Sequence, residues 1–227
     1  IAGLNQALSR DSGLGLRAVA PDAKAGARDS EPNTLVRAEA HHLLGRMLGR
    51  TGAETSAVVA ELREAVRLRP DSADFHNTLG LVLIQAGDDA AGIASLREAV
   101  RLAPDYAEAR ANLGAALTPT DPDAAIRELE RAVALVPASL NAQFNLAVAY
   151  GASPALGVAK EIEQLRKVIA LSPTFARAHL ALGKALMRDG KVPDAIAELE
   201  EAARLEPKSG EAHYQLGLAL ARAGRKE

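Results

Sequence analysis

From residue 38 onward, apolar residues recur at spacings of three and four, a period of helices rather than strands. In one stretch Leu79, Leu83 and Ile84 share a face, and Leu96, Ala99, Val100 and Leu102 define a second helix. Gly87 lies between them as a turn residue that tolerates positive φ. Pro104 closes the second helix because it cannot extend the hydrogen-bond ladder. The pattern predicts a unit of helix, short turn, antiparallel helix and proline stop.

That unit recurs. Pro70, Pro104, Pro137, Pro173 and Pro207 stand 34, 33, 36 and 34 residues apart. Gly45, Gly80, Gly114, Ala147, Gly183 and Gly217 keep step at 35, 34, 33, 36 and 34. Gly52, Gly87, Gly190 and Gly224 each follow a member of that second series by seven residues. Three phased series at one period predict a tandem array of hairpins. The small residue inside each first helix has a steric role, since a helix pair in close contact needs a missing side chain there.

The strings HNTLGLVLIQAGDDAAGIASLREAVRLAPD and HLALGKALMRDGKVPDAIAELEEAARLEP resemble tetratricopeptide repeats (TPRs), with spaced Leu-Gly, Ala, Leu, Ala and Pro landmarks. The resemblance covers residues 38–227. It implies an all-α, right-handed superhelical solenoid of stacked antiparallel helix pairs. The units are 38–72, 73–106, 107–139, 140–175 and 176–209, then a single helix in 210–227. The first has one extra residue in its inter-helix turn. The third is one shorter through 118–123, and the fourth two longer through 151–157, with Ala147 replacing the usual Gly. Such changes suit stacked repeats, because helix contacts stay in register. Residues 1–37 are expected to be irregular: Leu4, Leu8 and 14–19 fit a degenerate helix or pair, and 21–33 a loop. Residues 211–223 read as one more first helix, and Gly224 keeps the turn chemistry of an internal repeat. The chain is therefore expected to be cut from a longer array, an expectation that the start at Ile1 shares.

Charge adds exclusions. The 27 Lys+Arg and 29 Asp+Glu leave a net charge of −2, without the basic excess of a nucleic-acid binder. There is no Cys, hence no disulfide or thiolate chemistry. Aromatics are 3% with no Trp, a poor supply for base-stacking platforms. The longest uncharged stretch, 132–159, holds Pro137, Pro154 and several amides, unlike a membrane span. No leader pattern is read at Ile1. A soluble chain is expected, with its compartment open.

Candidate chemistry is sparse. His41, His76, His179 and His213 each lie four residues before their landmark Gly. Stacked repeats separate such positions by about 8–10 Å, whereas zinc needs its nitrogens at about 2 Å. They are therefore expected to fill the slot that a bulky aromatic takes in the family. Arg110 and Gln143 hold that place in two repeats, and His42 points elsewhere. Gly13-Leu14-Gly15-Leu16-Arg17-Ala18 spells a dinucleotide-turn string but lacks the strand before it. Asp88-Asp89, Asp121 with Asp123, and Glu198 with Glu200-Glu201 read as solvated surface charge. No HExxH, GxSxG or P-loop is present. No catalytic, metal or cofactor site is expected.

The resemblance implies that the first helices line a concave groove. Candidate partner-binding residues are Asn77, Leu81, Glu108, Asn112, Asn141, Phe144, Asn145, Val148, Arg177, Lys184, Met187 and Tyr214. Asp74, Ile84, Ala115, Leu180, Glu211 and Leu218 extend the wall. Asn112 and Asn145 resemble two rungs of the asparagine ladder in O-linked N-acetylglucosamine transferases, where amides hold a peptide backbone. Phe144 and Tyr150 are expected in one uncharged interface patch. The two-carboxylate clamp of chaperone-binding members is not matched. The expected function is a non-catalytic scaffold that binds a peptide or protein segment in the groove. The alternatives are a structural protein that self-associates head to tail and the repeat arm of a larger enzyme such as a glycosyltransferase. No nucleic-acid partner or membrane insertion is expected.

Overall fold

The computed structural model describes residues 31–224. These residues form eleven helices and no strand. They divide into two compact units that meet in sequence between Pro104 and Asp105. The first unit holds α1 (Glu31–Arg50), α2 (Thr55–Leu68), α3 (Ala73–Gln85) and α4 (Asp89–Leu102). The second holds α5 (Ala107–Leu117), α6 (Pro122–Leu135), α7 (Leu140–Ala152), α8 (Gly157–Leu171), α9 (Ala176–Arg188), α10 (Val192–Leu205) and α11 (Gly210–Arg222). Within each unit every helix packs on its sequence neighbours, which gives stacked antiparallel pairs.

α1 begins at Glu31, inside the segment expected to be irregular. Proline in a first helical turn costs no backbone hydrogen bond, so Pro32 marks a start rather than a loop. Residues 1–30, with the degenerate helix expected there and the 13–18 string, lie outside the described residues.

Local chemistry accounts for the hairpins. Ser72, Asp88, Asp121, Ser139 and Ser209 cap α3, α4, α6, α7 and α11 by accepting from the backbone N–H three residues on. Gly87 and Gly190 turn the chain at φ 83° and 77°, in the left-handed region that glycine enters without a Cβ clash. Helices α2, α4, α6, α8 and α10 end two residues before Pro70, Pro104, Pro137, Pro173 and Pro207.

The landmark small residues mark the closest helix contact. A Cβ on Gly114 would lie 2.5 Å from Leu129 Cγ and 3.0 Å from the Ala125 carbonyl oxygen. At Gly183 it would lie 2.5 Å from Leu199 Cγ. One leucine per second helix (Leu62, Leu96, Leu129, Leu165 and Leu199) is fully buried. In the four repeats with a landmark glycine (Gly45, Gly80, Gly114 and Gly183) the first helix thus offers a hole and the second helix a knob. Gly217 on α11 differs, because nothing lies within 4 Å of the corresponding position.

The residues four before the landmarks are hydrogen-bonded struts rather than mere fillers. The Nε2–H groups of His76, His179 and His213 donate to the carbonyls of Pro70, Pro173 and Pro207 at 3.0, 2.9 and 2.9 Å. Gln143 does the same to Pro137 at 2.9 Å. On their other side His41 and His179 reach Glu61 and Glu198 of the paired second helix, and Arg110 reaches Glu128. At four of these positions the side chain satisfies a loop carbonyl and at three it reaches a carboxylate of the paired helix, so the slot calls for a hydrogen-bond donor, which His, Arg and Gln all supply. His42 does point elsewhere: it is buried between α1 and α3, 3.0 Å from Thr78 Oγ1 and against the Phe75 ring. Burial holds its pKa below the ordinary value, with Asp74 opposing.

Candidate functional site

In the second unit, α7, α9 and the start of α11 enclose a cleft of about 550 Å³, within the usual range for ligand sites. Phe144, Val148, Gly151 and Ala152 come from α7, and Arg177, Leu180, Ala181, Lys184 and Arg188 from α9. Glu161 of α8 and Glu211 of α11 complete it. Two first helices therefore supply most of the wall.

Helical geometry decides which positions reach it. At roughly 100° per residue, the place one after a landmark lies about 100° from the face that meets the second helix, and the place six before about 120°. Val148, Lys184, Asn141 and Arg177 occupy these places and are exposed. Leu81 and Glu108 hold equivalent exposed places on α3 and α5. The place two before, about 160° round, carries the half-buried Asn112 and Asn145. None of Leu81, Glu108, Asn112, Asn141 or Asn145 lines this cleft.

Two register positions depart from the expected groove. Three before the landmark is only about 60° from the helix contact, so Asn77 is buried at 3% exposure and Phe144 at 8%. Phe144 still reaches the cleft as its floor, whereas Tyr214 in the same register on α11 is 64% exposed. Four after is about 40° away, and Met187 accordingly packs with Ile196 and Leu199 of α10 instead of facing the cleft. Phe144 and Tyr150 also part company. Tyr150 turns instead to α6, where its hydroxyl donates to Glu130 at 2.9 Å. Burial, aided by Glu130, pushes that phenol up to about 12.

The cleft is charged, although 132–159 is not. Its charges arrive from neighbouring helices. Glu161 is 7% exposed and pairs with Arg188. Its carboxylate sits over Gly151, where a Cβ would lie 2.5 Å from it. Burial raises the Glu161 pKa, and Arg188 offsets part of the rise. Lys184 and Glu211 pair at 2.7 Å. Arg177 lies over the Phe144 ring at 5.0 Å and 6.0 Å from Phe175, and the two rings meet edge to face at 5.3 Å. Among the described residues Arg177 has no carboxylate partner. Sequence reasoning missed Glu161 and Arg188; the only linear signal was Gly151, a helical glycine outside the landmark series.

No helix among the described residues is long and apolar enough to cross a membrane. The family model for the tetratricopeptide repeat matches residues 59–107, 162–209 and 180–227, together about half of the chain. The chain belongs to the tetratricopeptide repeat family. The TPR repeat-containing protein PA4299 of Pseudomonas aeruginosa is 50% identical over 50 residues, which are 22% of this chain and only 20% of that protein. A crystal structure of MamA is similar at a TM-score of 0.63 and 27% identity, covering 74% of this TPR chain and 96% of MamA. The TPR protein YrrB, whose structure is described as having an unusual peptide-binding site, shares the fold at a TM-score of 0.63 and 18% identity. It covers 83% of this chain and 98% of its own. Yeast Tom70 matches 97% of this chain with 46% of its own, at a TM-score of 0.66 and 15% identity. The TPR fold is generally a non-catalytic scaffold typical of protein–protein interaction.

Proposed function

We propose that this TPR protein is a non-catalytic scaffold that binds an extended peptide or protein segment in the α7–α9–α11 cleft. The observation that carries the reading is an apolar floor of Phe144, Val148 and Leu180 set beneath an aromatic-seated arginine. Val148 is 42% exposed, so apolar surface there is available for burial by a ligand. Asn141 and Asn145 lie on the same helix α7 but outside the cleft lining, so their amides, which both donate and accept, would serve only a segment that continues beyond the cleft. Each such bond contributes about 0.5–1.5 kcal/mol.

Panning a displayed library of random nonapeptides on the purified protein tests this. Wild type is expected to enrich binders, Val148→Asp to lose them, and Ala159→Asp on α8 to keep them. Enrichment that survives Val148→Asp but not Ala159→Asp would place binding elsewhere and sink the reading.

Self-association is the second reading, and α11 favours it. A Cβ on its landmark Gly217 would meet nothing within 4 Å, and Tyr214 and Leu218 are 64% and 45% exposed. A head-to-tail contact that does not close yields filaments. Sedimentation velocity over a wide concentration range is expected to show association that Gly217→Arg suppresses. A monomer at every concentration removes this reading.

A further inference from the structure

The cleft holds three cations, and two of them are already spent. Arg188 is paired with Glu161 and Lys184 with Glu211. Arg177 is exposed, seated over the Phe144 ring, and without a carboxylate partner among the described residues. A guanidinium set against aromatic rings keeps its planar fork of N–H donors for a planar acceptor, and a carboxylate accepts two of them at once. Val148 and Leu180 lie in the same cleft and offer apolar contact.

We infer that the cleft selects a segment in which an internal Asp or Glu stands beside an apolar side chain, the carboxylate on Arg177 and the apolar group on Val148 and Leu180. This rests on the peptide-binding reading above and adds the ligand's chemistry to it. Charge complementarity sets the number of acids at one. A second carboxylate would meet Glu161 or Glu211, whose own cations are already engaged. The distance along α9 from Arg177 to Arg188 is about 16 Å at 1.5 Å per residue, which an extended segment of about five residues spans. Because the guanidinium stands over the aromatic floor, a side chain of a passing segment reaches it while the backbone continues along the cleft.

The same peptide selection, run on wild type and on Arg177→Gln, tests the inference. Wild type is expected to enrich Asp or Glu next to Phe, Leu, Ile or Val. Arg177→Gln is expected to keep the apolar preference and lose the acidic one. An enriched peptide made as its C-terminal amide should bind wild type at least tenfold tighter than its Asn or Gln counterpart. Arg177→Glu should invert that order in favour of the Lys counterpart. Arg177→Lys, which keeps the charge but loses the fork, should fall between wild type and Arg177→Gln. Circular dichroism of each variant confirms that the helices are retained. Equal affinity for the Asp and Asn peptides, with capture still lost in Val148→Asp, overturns the acidic selectivity and leaves the cleft reading standing. Affinity that requires a free C-terminal carboxylate instead of the internal acid also overturns it. An absence of enrichment on wild type overturns both.

Discussion

Replacing Gly114 with alanine is expected to destabilise the protein by about 1–3 kcal/mol, the usual cost of forcing extra volume into a packed core. The same change at Gly217 is expected to stabilise it by about 0.5–1 kcal/mol. Both glycines are landmarks of one series, and sequence assigns them one role. Their surroundings differ. At Gly114 the new methyl meets Leu129 Cγ at 2.5 Å, and even with the leucine moved it would still lie 3.0 Å from the backbone carbonyl oxygen of Ala125. At Gly217 nothing lies within 4 Å, so only the helix propensity of alanine over glycine remains. Urea unfolding followed by circular dichroism measures both, as a midpoint moved down in one variant and up in the other at unchanged slope. A fall of equal size in the two would show that the Gly217 position is covered in solution.

Leu165→Ala is expected to cost about 2–5 kcal/mol, since it removes a fully buried side chain and leaves a cavity. Leu165 is the knob of α8 and packs in one cluster with Phe144, Ala147, Ile162 and Leu182. Repeat four carries Ala147 where the others carry Gly, so this pair already accommodates a methyl at the contact. Truncation is expected to loosen the support of Phe144 and weaken peptide capture together with stability. Leu171, also on α8 but 49% exposed, provides the control: Leu171→Ala should stay within about 0.5 kcal/mol of wild type. Thermal and urea unfolding of the two variants check this, and comparable losses would mean that α8 packs differently.

Much of the hairpin architecture was legible in the chain. The prolines, turn glycines and landmark residues act within one or two helices, and their effects depend on nearby sequence. The function of the strut position was not. His, Arg and Gln look unrelated in sequence until Pro70, Pro137, Pro173 and Pro207 present carbonyls to them, or Glu61, Glu128 and Glu198 their carboxylates. The exposed arc of each first helix was legible in part, because the linear pattern assigns each first helix one outward side. A helix packed by its own second helix and by its neighbours has a narrower free arc. Asn77 and Met187 fall outside that arc, and Arg177, Val148 and Lys184 fall within it.

The linear pattern therefore sets the period, the paired helices, the turns and the small residues at close contact, all of which arise from interactions within a single repeat. Which charges meet depends on how the helices pack. Glu161 and Arg188 stand 27 residues apart and join only because α8 packs on α9. Arg177 sits over the Phe144 ring, which meets Phe175 edge to face, and has no carboxylate partner among the described residues. The charges that line the cleft come from side chains on separate helices, and their convergence is a property of the packing rather than of any local pattern.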